Sequence, residues 1–173
     1  MTDNIYLNTA FAVMACDGEI SPEEIKLIKK LDARMGVSGD SAIDEKLSRL
    51  TAELNAKGKG FMSAYLADIR DTAPDAATAM RLLGVAIDMI YADEEVEYSE
   101  VKFFRALRAC MPSVTNDEIL EEFSQVEDFW LESDAKGSLE NLEKDYLDTI
   151  EIPQFDLSAI VAQLGASDDA PKA

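Results

Sequence analysis

The chain has 173 residues, enough for one domain with a full hydrophobic core. It carries 35 acidic residues against 16 basic ones, a formal charge of −19. Nucleic-acid binding needs a basic surface, and anionic membrane surfaces repel an acidic protein, so the charge argues against both partners. The negative electrostatic field of such a chain instead attracts cations and basic protein surfaces.

The residue types that are absent or rare narrow the chemistry further. There is no histidine, which excludes Ser-His and Cys-His nucleophiles and His-ligated metal sites. Cys16 and Cys110 lie in apolar helical sequence and are too few for a disulfide framework, so we expect reduced core thiols. The N-terminus lacks the basic start of a signal peptide, and the longest apolar run, residues 82–92, is too short to span a membrane. We therefore expect a cytoplasmic protein without direct membrane insertion.

Apolar residues recur at helical spacing from the start of the chain, and no segment alternates like a strand. The first helix is predicted over about residues 4–16. Its second half is apolar on all sides, as in an enclosed central helix. An acidic turn over residues 17–19 follows it. Further helices are predicted over residues 22–35, 41–56 and 61–72.

The second half of the chain continues the helical pattern. The helix predicted over residues 75–92 is the most apolar of all, so we expect it to form the central pair with the first helix. The sequence predicts an all-α fold: a single compact domain of seven to nine helices over residues 1–150. A C-terminal helical extension over residues 151–164 and a disordered tail over 165–173 should follow. The remaining helices are predicted over residues 98–111, 115–132, 138–150 and 157–164.

One stretch of the chain occurs twice. Residues 89–104 align without a gap on residues 13–28. Each copy passes from an apolar helix through an acidic turn into an amphipathic helix, which predicts two pseudo-symmetric helix-loop-helix repeats in one domain. In the first copy, Ser21 and Glu24 stand at the positions of a helix capping box. The matched acidic pairs are Asp17 with Asp93, Glu19 with Glu95, and Glu24 with Glu100.

The first copy also matches the second half of an EF-hand loop, with glycine at position six and glutamate at position twelve. Positions one and three would then be Val13 and Ala15, and in the second copy Met89 and Tyr91. None of these residues supplies a carboxylate for calcium, so the sequence is not an EF-hand.

Helix electrostatics account for some of the repeated acidic residues. Glu24 and Glu100 lie in the first turn of a helix, where the dipole favours an anion by roughly 0.3–1 kcal/mol without any ligand. Asp17 and Asp93 follow the C-terminal ends of apolar helices, where the dipole disfavours a carboxylate. If the two loops meet at one end of the fold, their carboxylates suit a hard divalent cation such as Ca²⁺, Mg²⁺ or Mn²⁺. The candidate metal ligands are Asp17, Glu19, Glu24, Asp93, Glu95 and Glu100.

The two acidic motifs also resemble a known family. Residues 15–24 read Ala-x-Asp-Gly-Glu-Ile-Ser-x-x-Glu, and residues 92–100 read Ala-Asp-x-x-Val-x-x-x-Glu. This double pattern resembles the TerB-like tellurite-resistance family. The resemblance implies a compact all-helical cytoplasmic bacterial domain over residues 1–150, with a cation site at the acidic loops. The second loop departs from the first, because Glu94 stands where the first has Gly18.

Charge and resemblance together lead us to expect a non-enzymatic module of tellurite or stress resistance. It would bind a divalent cation, a basic protein partner or both through the paired acidic loops. One alternative is a metal-dependent hydrolase that uses the same carboxylates to hold activating ions, although the sequence offers it no nucleophile, oxyanion donor or basic substrate clamp. The other alternative is a metal-free protein-interaction scaffold.

Overall fold

The computed structural model describes residues 5–35, 42–92, 95–131 and 139–168. All regular structure in these ranges is helical, with nine helices and one isolated four-residue turn of helix, as the predicted all-α class requires. None of these helices is both long and apolar enough to cross a membrane. The elements are α1 (Ile5–Ala15), α2 (Pro22–Met35), α3 (Ala42–Lys57), α4 (Lys59–Thr72), α5 (Ala76–Ile90), α6 (Tyr98–Ala109), α7 (Asn116–Glu122), α8 (Asp128–Leu131), α9 (Leu139–Thr149) and α10 (Leu157–Asp168).

The helices α1 and α5 pack along each other at the centre of the fold. Eight of the eleven residues of α1 and eight of the fifteen of α5 are buried, so both helices are enclosed on most sides. Apolar side chains around the whole circumference of a helix can be removed from water only in such a position. The predicted central pair is therefore confirmed.

The helix α4 joins α1 to α6 through aromatic side chains. The ring of Phe61 meets that of Phe11 edge to face, with ring centres 5.6 Å apart. One turn further along α4, the Tyr65 hydroxyl donates to Thr9 Oγ1 at 2.7 Å. The Tyr65 ring also stacks on Phe103 of α6, with centres 6.0 Å apart. Because these contacts run in opposite directions along α1 and α4, the two helices are antiparallel.

The helix α9 closes the fold against α6. The ring of Tyr146 meets that of Phe103 edge to face, with centres 5.1 Å apart, and Lys102 Nζ lies 3.5 Å from Asp145 Oδ1. Trp130 of α8 packs its ring against Phe104 at 5.3 Å. These aromatic contacts bury large apolar surfaces and hold the second half of the chain together.

The helix predicted over residues 115–132 is wrong as a single element. The structure ends α7 at Glu122 and starts α8 at Asp128. Phe123 leaves the helix with its ring beside Gly84 of α5, and the carbonyl of Gln125 accepts the Tyr91 hydroxyl at 2.8 Å. Contacts with α5 therefore stabilise a turn where the local pattern favoured a continuous helix.

The C-terminal helix also extends further than predicted. It runs to Asp168, four residues past Leu164. A glycine inside a helix costs only about 1 kcal/mol relative to alanine, so Gly165 does not stop it. The rest of the predicted tail, residues 169–173, lies outside the described residues.

Candidate binding site at the acidic loops

The first acidic loop begins where α1 ends. Gly18 donates its N–H to the Ala15 carbonyl at 3.0 Å and has a φ of +81°, a left-handed conformation that favours glycine. Asp17 Oδ1 accepts the N–H of Glu19 at 2.9 Å and so closes an Asx turn. Asp17 thus has a structural role in the turn, which offsets its unfavourable place at the end of α1.

Glu24 and Glu100 cap the helices that follow the two loops. Glu24 Oε2 accepts the N–H of Ser21 at 2.8 Å, and Ser21 Oγ accepts the N–H of Glu24 at 3.2 Å, which confirms the predicted capping box. At the matching position of α6, Glu100 Oε2 accepts the N–H of Glu97 at 2.8 Å. Both glutamates are almost fully buried, with 3% and 1% of their surface exposed. The sequence predicted the capping role of Glu24 and placed Glu100 in a first helical turn, but it did not predict the burial of either.

The second loop is exposed where the structure describes it. The ring of Tyr98, 62% exposed, lies 4.9 Å from Lys102 Nζ. Asp93, a predicted ligand, and its neighbour Glu94 lie outside the described residues. The exposed residues of this loop are Glu95, Val96, Glu97 and Tyr98.

The end of α1 lies beside the second helix-loop-helix unit, because Tyr146 bonds to the Cys16 carbonyl and packs its ring on Phe103 of α6. Burial raises the pKa of the Cys16 thiol well above its ordinary value, and the negative charges of nearby carboxylates raise the pKa further. One of these carboxylates belongs to the second unit and two belong to the first. Of the six predicted ligands, the structure gathers three near this thiol: Glu100, Asp17 and Glu24. Glu19 and Glu95 are exposed at the surface.

A complete metal site is not present among the described residues. Within those ranges, no three or more His, Cys, Asp or Glu side chains are arranged to hold an ion. Asp17, Glu24 and Glu100 each give a carboxylate oxygen to a backbone N–H, which leaves fewer lone pairs for an ion. A divalent-cation site would therefore need oxygen ligands beyond these three carboxylates.

Neither thiol is placed for nucleophilic chemistry. Cys16 is fully buried, and the Tyr146 hydroxyl donates to its backbone carbonyl at 2.6 Å. Cys110 is buried at the end of α6, and burial raises its pKa to about 12. Both cysteines are free and buried, as predicted for core thiols. Thiol attack needs the thiolate, so neither side chain supports a hydrolase mechanism.

The C-terminal segment, residues 151–168, crosses the first acidic loop at its start, a contact that the sequence did not predict. A Cβ atom added to Gly18 would come within 3.0 Å of the Glu151 carbonyl oxygen, with the ring of Pro153 next to it. Beyond this point, the side-chain amide of Asn55 donates to the Phe155 carbonyl and accepts the Phe155 N–H, both at 2.8 Å. Pro153 is the local indication of a non-helical connection after α9, because the residue before a proline favours an extended conformation.

A surface cavity of about 570 Å³ lies at the other end of α1, beside α4 and the start of α5. Two of its acidic side chains have partners nearby. Asp75 Oδ1 caps α5 by accepting the N–H of Thr78 at 2.8 Å, and Asp71 lies 3.5 Å from Arg70. These two carboxylates therefore already take part in local contacts at the ends of α4 and α5.

No family model matches the chain, and neither a curated protein nor a solved structure matches it significantly. What the structure defines is an all-helical domain that brings carboxylates of two helix-loop-helix units to one end. The resemblance to TerB-like proteins rests on the two short motifs alone and stays a prediction.

Proposed function

We propose that this protein is a non-enzymatic cytoplasmic binding module of the TerB-like kind, whose acidic end binds a basic surface of a protein partner. The acidic end comprises residues 17–19, residues 95–97, and the buried Glu24 and Glu100. One observation carries the proposal. The Tyr146 hydroxyl donates to the Cys16 carbonyl, and the ring of Tyr146 packs on Phe103 of α6, so the end of α1 lies beside the second unit. Carboxylates of both units, Asp17, Glu24 and Glu100, lie near Cys16 in a chain of charge −19.

Electrostatic repulsion at this end favours a positively charged ligand. Two like charges 4 Å apart repel by about 1 kcal/mol in water, and by more where they are partly buried. A basic ligand relieves this repulsion, and the field of the whole chain steers such a ligand towards it. Glu19, Glu95 and Glu97 are exposed and can pair with lysine or arginine, while the Tyr98 ring can accept a cation–π contact.

A divalent cation is the second candidate, because Asp17, Glu24 and Glu100 supply only oxygen ligands. Such ligands suit Ca²⁺, Mg²⁺ or Mn²⁺. The basic partner is favoured over the ion because each of these three carboxylates already accepts a backbone N–H. Bound ion would stabilise the fold by mass action, so the melting temperature would rise with the ion and fall with chelator.

Nuclear magnetic resonance titration of the full chain with a lysine-rich peptide tests the proposal. The peptide should shift the amide signals of residues 17–19 and 95–98, and Glu19→Gln with Glu95→Gln should weaken binding severalfold. The matched control is Glu121→Gln with Glu122→Gln, which removes the same charge from the exposed acidic helix α7. Equal weakening by both pairs would show a general charge effect and refute a specific site.

The same titration with each divalent ion in place of the peptide tests the second candidate. An ion site should respond to one ion at low concentration and lose that response in Asp17→Asn with Asp93→Asn. A response that survives this double substitution contradicts the ion site. Peptide binding without any ion response supports the basic partner alone.

A further inference from the structure

A smaller cavity lies at the C-terminal end of α6, with side chains of α7, α8 and α9 around it. Its volume is about 140 Å³. Sites for drug-sized ligands have roughly 300–1,000 Å³, so this cavity admits only a small molecule. The described residues that line it include two arginines, Arg105 and Arg108, and no carboxylate.

Arg108 brings a half-buried positive charge to this cavity. Its Nε–H donates to Asn116 Oδ1 at 3.0 Å, and its Nη1 donates to the Met111 carbonyl at 3.4 Å. These bonds use two of the five N–H donors of a guanidinium, and both acceptors are uncharged. Burial lowers the pKa of this guanidinium, because the charge has lost part of its hydration.

A charge of this kind is stabilised when an opposite charge pairs with it. Within the part of the chain that the structure describes, no aspartate or glutamate forms an ion pair with Arg108. Arg105 stands three positions earlier on α6, hence on the same face, and adds a second guanidinium to the lining. An anion in the cavity would supply the negative charge that the described residues do not.

Four other side chains around the cavity are apolar. Ala109, Leu131 and Leu142 give it aliphatic surface, and Trp130 gives it an aromatic one. The ring of Trp130 stacks on that of Tyr91 with centres 5.6 Å apart, which fixes this wall in place. Such walls suit a short hydrocarbon chain, because contact with it removes their apolar surface from water. An inorganic ion offers them no such contact.

We propose that this cavity binds a short-chain monocarboxylate, with the carboxylate on Arg108 and the hydrocarbon chain against Leu131, Leu142 and Trp130. The planar fork of a guanidinium matches the two oxygens of a carboxylate. A phosphate group carries about −1.5 to −2 charges at neutral pH, so a chain of charge −19 repels it more strongly than a single carboxylate. The cavity shares no residue with the acidic end, so the inference does not depend on the ligand proposed there.

Fluorescence of Trp130 tests the proposal, because it is the only tryptophan of the chain and lines the cavity. Titration of the full chain with butyrate should change this fluorescence and saturate. The same concentrations of 1-butanol, which has the hydrocarbon chain without the charge, should leave it unchanged. A response of equal size to butyrate and 1-butanol, or no saturable response to butyrate, overturns the proposal.

Two charge-removing variants show whether the response depends on this cavity. Arg108→Gln should weaken butyrate binding about tenfold or more, because it removes a charged hydrogen-bond donor. The matched control, Arg49→Gln, removes the same charge from an exposed position on α3 and should bind butyrate like wild type. Equal weakening by both variants would show a general charge effect and contradict the site.

Ala109→Leu keeps the test decisive if Arg108→Gln folds poorly. The larger side chain fills part of the cavity and leaves both arginines unchanged, so the butyrate response should disappear. A response that survives this substitution places the ligand elsewhere and refutes the assignment. Saturable binding of inorganic phosphate without butyrate binding would assign the cavity to an inorganic anion instead. Tighter binding of N-acetyl-leucine, which models a protein C-terminus, would assign it to a partner chain and likewise overturn the proposal.

Discussion

Replacing Gly18 with alanine tests how the C-terminal segment is held over the first acidic loop. Gly18 is under two constraints. Its φ is +81°, and a Cβ atom there would come within 3.0 Å of the Glu151 carbonyl oxygen, closer than real Cβ contacts. The oxygen belongs to the backbone and cannot rotate away like a side chain, so the segment has to move.

The expected loss of stability follows from these two constraints. A left-handed backbone costs alanine roughly 1–2 kcal/mol. If the segment lifts, the protein also loses the two hydrogen bonds between Asn55 and Phe155 and the one from Gln154 to the Asn55 carbonyl. Each hydrogen bond contributes about 0.5–1.5 kcal/mol net. We therefore expect Gly18→Ala to lower the free energy of unfolding by about 2.5–6.5 kcal/mol if all three hydrogen bonds are lost.

Urea unfolding measures the loss, and amide hydrogen exchange shows where it occurs. The N–H of Phe155 is the reporter, since Asn55 accepts it in the closed state. The control is Gly84→Ala, which adds the same methyl group 3.3 Å from the ring of Phe123 and far along the chain from this segment. It should not speed exchange at Phe155, because the added methyl group meets only the Phe123 ring. If Gly18→Ala leaves that exchange unchanged, the close approach of Glu151 does not hold the segment in place.

The buried thiol, the core and the cap of α5 offer further tests. Cys16 should react with a thiol reagent at neutral pH far more slowly than free cysteine, because burial and nearby carboxylates raise its pKa; rapid labelling of the folded protein would contradict this. Leu83→Ala should lower the free energy of unfolding in urea by about 2–5 kcal/mol, since Leu83 is fully buried in α5, and a loss below about 1 kcal/mol would place it outside the core. The N–H of Thr78 lowers the pKa of Asp75 in the folded protein below its ordinary value of 3.8. The ionised Asp75 therefore stabilises the fold above pH 3.8, and this stabilisation is lost as the pH falls through the lowered pKa of the folded state. In Asp75→Asn, the free energy of unfolding should therefore depend less on pH in the acid range. An unchanged dependence would contradict the capping role of Asp75.

The helices could be predicted because their signals are local. Apolar spacing and capping residues act within a few positions of the chain, so the sequence placed most helix ends within a few residues of their observed positions. Ser21 and Glu24 form the predicted capping box for the same reason. The central position of α1 was also predictable, because a helix without a polar face has no stable exposed orientation.

The helix break after α7 and the path of the C-terminal segment depend on contacts between distant parts of the chain. Phe123 lies beside Gly84 just after the end of α7, and the residues around Phe123 in the sequence do not predict this contact. Likewise, the turn that gives Gly18 its positive φ is local. Its close contact with the Glu151 carbonyl joins residues more than a hundred positions apart, so local patterns could not predict it. Local propensity contributes tenths of a kcal/mol per residue, and tertiary packing readily overrides it.

The sequence by itself determined the helical class and the central pair of helices, and its charge of −19 predicts a positively charged ligand. It also placed Glu24 in a capping box and Glu100 in the first turn of a helix. Only the tertiary structure decided that both glutamates are buried, that their charges act on the same thiol, and that the first loop lies under the C-terminal segment. The reason is physical. Caps and amphipathic faces depend on neighbours along the chain, whereas burial and electrostatic coupling depend on which distant side chains the folded core brings together.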